Sequence, residues 1–270
     1  MEHKSVKSER GTTHYWINRN MNKNAKCIVF THGVTANHMM FEKQVEYFTK
    51  EYTVITWDVP LHGESRPYIN FSYENTAIEL KAILDAEKIC EVILVGMSMG
   101  GYPSQEFAAR YPDKVIAFIA IDTTPFGLCY YSASDRWWLK QVGPIAKLFT
   151  DKMLRISMAK SVSKTRYAYN MMIKMLKPLS KSDIIEQMCV AYGGFFDRKE
   201  SIHFNFPVLI LLGEYDKTGK VKQYCEAWSK KEGYPLHIIK GASHFSNADN
   251  YDDVNKEISN FICGLSKSET

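Results

Sequence analysis

Four runs of near-continuous apolar residues, many of them β-branched, dominate the first half of this chain: KCIVFTHG at 26–33, YTVITWD at 52–58, EVILVG at 91–96 and KVIAFIAID at 114–122. A strand that is apolar on both sides must be covered on both faces. Helical patterns lie between the runs. Met39, Met40, Phe41, Val45 and Phe48 recur at helical spacing, residues 73–88 carry Ala77, Leu80, Ile83 and Leu84 inward, and residues 99–110 read as a third helix. Strand and helix alternating in this way predict an α/β protein built on a mostly parallel sheet with helices on both faces.

The alternation breaks at Thr123. Residues 125–203 contain no convincing strand, but DRWWLK, KMLRISMAK and YAYNMMIKMLK are helical in pattern and rich in Met and aromatics. The stretch is too long for an ordinary connection. It is expected to be a helical cap, inserted over the strand ends of a core made from residues 1–124 and 204–270. The sheet pattern resumes with FPVLILLGEYD (206–216), a helix over 218–233, a short strand in YPLHIIKGASH (234–244) and an amphipathic helix over 251–265. Residues 13–18 form a short aromatic strand, and the polar opening MEHKSVKSER is assigned no element.

Composition excludes several classes. With 45% apolar and 24% charged residues the chain is ordinary for a soluble domain, and a net charge of +4 is too mild for nucleic-acid binding. The densest basic stretch, Lys140 to Lys181, reads as solvated helix faces. The start lacks the apolar core of a secretory signal, and no stretch is long enough to span a membrane. Six scattered cysteines without a CxxC, three of them in strands or a buried helix face, are expected to be free, reduced core cysteines, as in a cytoplasmic protein. A monomer or homodimer is expected, without nucleic-acid or membrane partners.

The sharpest chemical signal is VGMSMGG at 95–101, directly after a strand and before a helix. A serine on such a turn is held up at a helix N-terminus, with glycines letting the backbone pass closely. Ser98 is therefore the candidate nucleophile. A hydroxyl needs a base. His244, in a loop after the last strand, is the candidate, with His62 and His203 as rivals. An acid must orient the imidazole. Asp216, just past the strand ending at Gly213, is favoured over Asp122 and Glu214. The oxyanion would be held by the N–H groups of Met99, which follows the nucleophile, and Val34, which follows Gly33. His32 either supports that loop or contacts substrate, and Asp58 and His62 are expected to brace it.

With these residues in hand, the chain resembles the α/β-hydrolase superfamily over almost its whole length. The resemblance is carried by HGVT (32–35), DVPLHGES (58–65), GMSMG (96–100), GEYD (213–216) and GASHF (241–245). It implies an α/β-hydrolase fold with a helical cap, the Ser98–Asp216–His244 triad, and an oxyanion hole at Val34 and Met99. The first loop lacks the HGGG and HGGPG forms of lipases and prolyl aminopeptidases. The serine departs from the aspartate nucleophile of dehalogenases and epoxide hydrolases. Carbon–carbon hydrolases, lactonases and thioesterases share these motifs, and a ligand sensor with residual activity is a further reading.

The expected reaction is hydrolysis of a small to medium carboxylic ester through an acyl-enzyme. Phe126, Tyr130, Tyr131, Trp137 and Trp138, with His32 and Gly33, are expected to line a pocket for an apolar or aromatic acyl group. No organic cofactor or metal is expected, because the histidines show no ligand spacing to Cys, Asp or Glu and no GxGxxG follows a first strand.

Overall fold

The computed structural model describes residues 1–265. One eight-stranded sheet runs in the order β1-β2-β4-β3-β5-β6-β7-β8. The strands are β1 Glu2–Ser8, β2 Gly11–Asn18, β3 Cys27–Thr31, β4 Thr53–Trp57, β5 Val92–Met97, β6 Val115–Ile121, β7 Val208–Gly213 and β8 Leu236–Ile239. From β4 through β8 neighbouring strands are parallel, and β1 and β2 join that block antiparallel.

Every residue of β3, β4, β5 and β7 is buried, as the apolar runs require. Successive side chains go to opposite faces. Val29, Ile55, Leu94, Phe118 and Ile210 thus share one core with Leu80, Phe107 and Trp228, while Ile28, Val54, Ile93, Ile119 and Leu209 share the other with Phe41, Phe48 and Ile258. The first core is supplied by α2 (Tyr73–Ala86), α3 (Gly101–Arg110) and α8 (Val221–Glu232), and the second by α1 (Glu42–Phe48) and the C-terminal α10 (Tyr251–Leu265). A short α9 (Ser246–Asp249) precedes α10.

Between β6 and β7 the chain forms α4 (Ala133–Ala146), α5 (Asp151–Val162), α6 (Arg166–Leu176) and α7 (Lys181–Gly194). Each begins at a hydroxyl that accepts a hydrogen bond from a first-turn N–H: Ser132, Thr150, Thr165 and Ser180. Ser132 with Asp135 and Ser180 with Asp183 are reciprocal capping boxes. Such caps contribute about 1 kcal/mol each, which sets where helices this short begin.

The opening residues differ from their reading as an unassigned polar start. β1 pairs with β2 over seven registered positions, from Glu2 opposite Ile17 to Ser8 opposite Gly11. Its residues are exposed or half-buried, so no apolar alternation announces it. Edge strands of this charged kind resist pairing with other chains. The cysteines are all free, but only Cys27 and Cys225 lie in the core; Cys90, Cys129, Cys189 and Cys263 are exposed. Among the described residues, no helix is long and apolar enough to cross a membrane.

Candidate active site

β5 ends at Met97, and the chain turns through Ser98, which has a left-handed φ of 51°, into a 3-10 turn and then α3. That conformation is costly for a residue with a side chain, on the order of 1–2 kcal/mol, and persists only where the surroundings impose it. The glycines permit the close passage. A Cβ on Gly96 would lie 2.6 Å from the Gly100 carbonyl oxygen, and one on Gly100 would lie 2.0 Å from that of Thr31. Neither backbone can yield. Gly100→Ala is accordingly expected to destabilise the protein by about 3 kcal/mol or more. Thermal denaturation checks this, and an unchanged Tm would contradict the packing.

The turn aims Ser98 at His244. Ser98 Oγ lies 2.9 Å from His244 Nε2, and His244 Nδ1 lies 2.8 Å from Asp216 Oδ2. The other Asp216 oxygen accepts the Thr218 N–H at 2.8 Å. Burial pushes the His244 pKa down, but the charge and hydrogen bond of Asp216 outweigh it and the net direction is up from 6.5. Burial pushes Asp216 up, and His244 reverses this to a net lowering. A base must be neutral to take a proton, so kcat/KM is expected to rise with pH through an ionisation above 6.5. In Asp216→Asn, where only the Asp122 charge still opposes burial, that limb should move to lower pH. The pH profiles of the two proteins measure the shift.

The rival acid lies beside the pair. Asp122, at the end of β6 with φ 46°, accepts from Gly213 N at 2.7 Å and Ser246 N at 3.2 Å. Burial, then the Asp216 charge, push its pKa up to about 7. Its hydrogen bonds bridge the loops carrying Asp216 and His244, while the imidazole itself is hydrogen-bonded to Asp216. Glu214 is directed elsewhere, to Gly241 N at 2.8 Å. The rival bases are also engaged away from Ser98: His62 is buried against the Pro60 carbonyl and His203 is paired with Glu232.

Gly33 packs so tightly that a Cβ there would lie 3.4 Å from Ser98 Cβ, which brings the Val34 segment alongside Ser98. His32 holds this loop from behind. Its Nδ1 donates to the Gly33 carbonyl at 2.7 Å, and its Nε2 accepts the Val59 N–H at 3.0 Å. The Asp58 carboxylate takes His38 N at 2.6 Å, His38 Nδ1 at 2.9 Å and Glu64 N at 2.7 Å. Met99 lies in the first turn of the 3-10 helix, where N–H groups have no partner within the helix.

Two apolar cavities meet at Ser98, of about 240 and 210 Å³. Val34, Ser98, Val142, Tyr192, Thr218 and His244 line both. The larger is walled by Tyr102, Thr124, Tyr131, Leu139, Phe195 and Tyr224. The smaller is walled by Met40, Met97, Met158, Met172, Met188 and Phe245.

A family model described as the alpha/beta hydrolase fold matches residues 26–251. The chain belongs to the α/β-hydrolase family. It is 27% identical over 251 residues to 2-(acetamidomethylene)succinate hydrolase of Mesorhizobium japonicum, covering 87% of each chain. It is 23% identical over 222 residues to 2-hydroxy-6-oxononadienedioate/2-hydroxy-6-oxononatrienedioate hydrolase of Escherichia coli, covering 78% of this chain and 76% of that one. A thermophilic esterase from Thermogutta terrifontis, solved with malate bound, superposes with a TM-score of 0.79 at 19% identity, over 98% of this chain and 99% of that one.

In this hydrolase the expected pocket residues need correction. Trp137 and Trp138 are 56% and 59% exposed and do not line either cavity. The inward stripe of α4 is instead Leu139, Val142, Gly143 and Ala146 at helical spacing, which leaves Trp137 on the far side and Trp138 on the flank. Tyr130 donates to Glu232 at 3.2 Å and lies under Lys231, away from Ser98. Phe126 is buried behind Tyr102, ring centroids 5.2 Å apart. His32 is wholly buried as loop support, and Gly33 lines the methionine cavity. Tyr131 does line the larger cavity, but the rest of its Tyr and Thr wall was missed, because Tyr102 on α3, Thr124 after β6 and Tyr224 on α8 face it through packing that no local pattern shows. The methionine stripe did carry a signal, and Met158, Met172 and Met188 from the helices between β6 and β7 line the smaller cavity.

Proposed function

We propose that this hydrolase cleaves small to medium, uncharged carboxylic esters through a covalent intermediate on Ser98. The observation that carries the reading is the unbroken hydrogen-bonded line Ser98–His244–Asp216 at the junction of two apolar cavities, one for each side of a scissile bond. His244 takes the Ser98 proton as Oγ attacks the ester carbonyl, and the N–H groups of Met99 and Val34 receive the negative charge that develops on its oxygen. His244 then protonates the departing alcohol. Water, deprotonated by the same ring, attacks the acyl-enzyme and releases the acid, with the Ser98 proton restored. The helices between β6 and β7 act as a cap that supplies Leu139, Val142, Met158, Met172, Met188 and Tyr192 to the cavities.

The charge of the walls supports an uncharged substrate. Lys220 is the cation of the larger wall, and its ammonium already donates to Asp135 at 2.7 Å. A substrate with two carboxylates, such as the names of the two sequence relatives denote, finds no unpaired cation among these lining residues. Those names do favour a second reading, in which the same serine chemistry opens a bond other than an ester. A series of p-nitrophenyl esters from acetate to dodecanoate, with benzoate and hemisuccinate added, separates the two. The expected result is fast turnover of medium aliphatic and aromatic esters with hemisuccinate at least about tenfold poorer in kcat/KM. Absence of ester turnover by folded protein would favour the second reading.

A further inference from the structure

Residues 3, 14 and 64 lie far apart in sequence, and nothing in their spacing announces a metal site. The fold brings them together. His3 is on β1, His14 on the neighbouring β2, and Glu64 in the loop after β4, and their ligand atoms all lie within 4.8 Å of one another. We infer that His3, His14 and Glu64 form a surface site for a divalent transition-metal ion, with zinc as its principal occupant.

The distances fit. His3 Nε2 is 3.0 Å from His14 Nδ1 and 3.6 Å from Glu64 Oε2, and His14 Nδ1 is 3.9 Å from that oxygen. Ligands about 2.0–2.1 Å from a tetrahedral zinc are separated by about 3.3–3.4 Å, so the three separations bracket the required edge and closure takes shifts of about half an ångström. Two imidazoles and a carboxylate, with no thiolate, suit zinc, nickel or copper rather than calcium or magnesium. The fourth position faces solvent, since His3 and Glu64 are exposed, and would be taken by water.

The ligands are also held in place. The His3 ring stacks on Trp16 at 4.4 Å with an interplanar angle of 5°, and Trp16 stacks in turn on His38. The backbone of His14 is fixed at both ends, its carbonyl accepting Asp58 N and its N–H donating to Ser65 Oγ, each at 2.9 Å. Glu64 is tied through its N–H to the Asp58 carboxylate at 2.7 Å. Positioning of this kind reduces the ordering cost of binding. Coordination needs only a tautomer change: the imidazole whose N–H bridges the pair carries that proton on its other nitrogen. None of the three ligands lines the cavities at Ser98, so the ion would staple the β1–β2 edge to the loop carrying Asp58.

The test uses the full chain without an affinity tag, its exposed thiols alkylated, titrated calorimetrically with zinc chloride and, as a control, magnesium chloride. One zinc per chain with Kd in the micromolar range is expected, with magnesium silent. Tm should rise by about 5 °C at a hundredfold excess over Kd. His3→Ala and Glu64→Gln should each weaken zinc binding at least about tenfold while leaving metal-free hydrolysis unchanged. No saturable binding below about 100 μM overturns the site. So does binding that survives both substitutions, or that is lost only in His244→Ala, which would put the ion on the active-site imidazole.

Discussion

Ser98→Ala is expected to lower kcat by at least about 10³-fold with little change in Tm. The size follows from what the hydroxyl alone supplies. Without Oγ no acyl-enzyme forms, and what remains is ground-state binding with whatever polarisation the Met99 and Val34 N–H groups provide. Stability is spared because Oγ makes its hydrogen bond to His244 and the left-handed φ of 51° is imposed by the backbone around it. Steady-state turnover of the best ester, alongside mass spectrometry of protein quenched during turnover, tests both halves. Wild type should carry the acyl mass on the peptide containing Ser98. Near-wild-type turnover by the alanine variant would end the assignment.

The two buried aspartates make opposite predictions. Asp216→Asn should lower kcat by about 10³–10⁴-fold, because the amide cannot stabilise the imidazolium by charge and can hold the ring in the wrong tautomer. Asp122→Asn should lower kcat by less than about tenfold and instead cost on the order of 1–3 kcal/mol of stability. Asp122 accepts from both Gly213 N and Ser246 N, and an asparagine can accept only one of these while its NH₂ confronts the other. Parallel kinetics and thermal melts separate the roles. A larger kinetic loss in Asp122→Asn than in Asp216→Asn would make Asp122 the working acid.

Much of the fold was legible because its signal is local. Strands buried on both faces must be apolar at every position, which is why β3, β4, β5 and β7 stand out as runs. Ser98, His244 and Asp216 were each named from a strand end followed by a turn, and the folded chain brings them within hydrogen-bond reach of one another. β1 was illegible for the converse reason. Lys4, Ser5 and Lys7 carry no apolar period, and their extended conformation comes from the ladder with β2.

The helices between β6 and β7 show where reading a sequence stops. Their helical character was plain, and so was their wealth of Met and aromatic residues. Which of those side chains reach the cavities was not, and the most conspicuous, Trp137 and Trp138, face solvent while Leu139 and Val142 face inward. Periodicity gives a helix its stripe only when one face is distinctly apolar, and α4 is apolar on more than one side.

From β2 onward the alternation of strands and helices, the turn at Ser98 and the short list of candidate side chains could be read from the chain alone, because those depend on neighbours a few residues apart. Folding alone settles that Asp216 rather than Asp122 is hydrogen-bonded to His244, that tyrosines and methionines rather than tryptophans wall the cavities, and that His3, His14 and Glu64 converge. These are distances between side chains on different elements, set by how the sheet twists and how the helices pack on it.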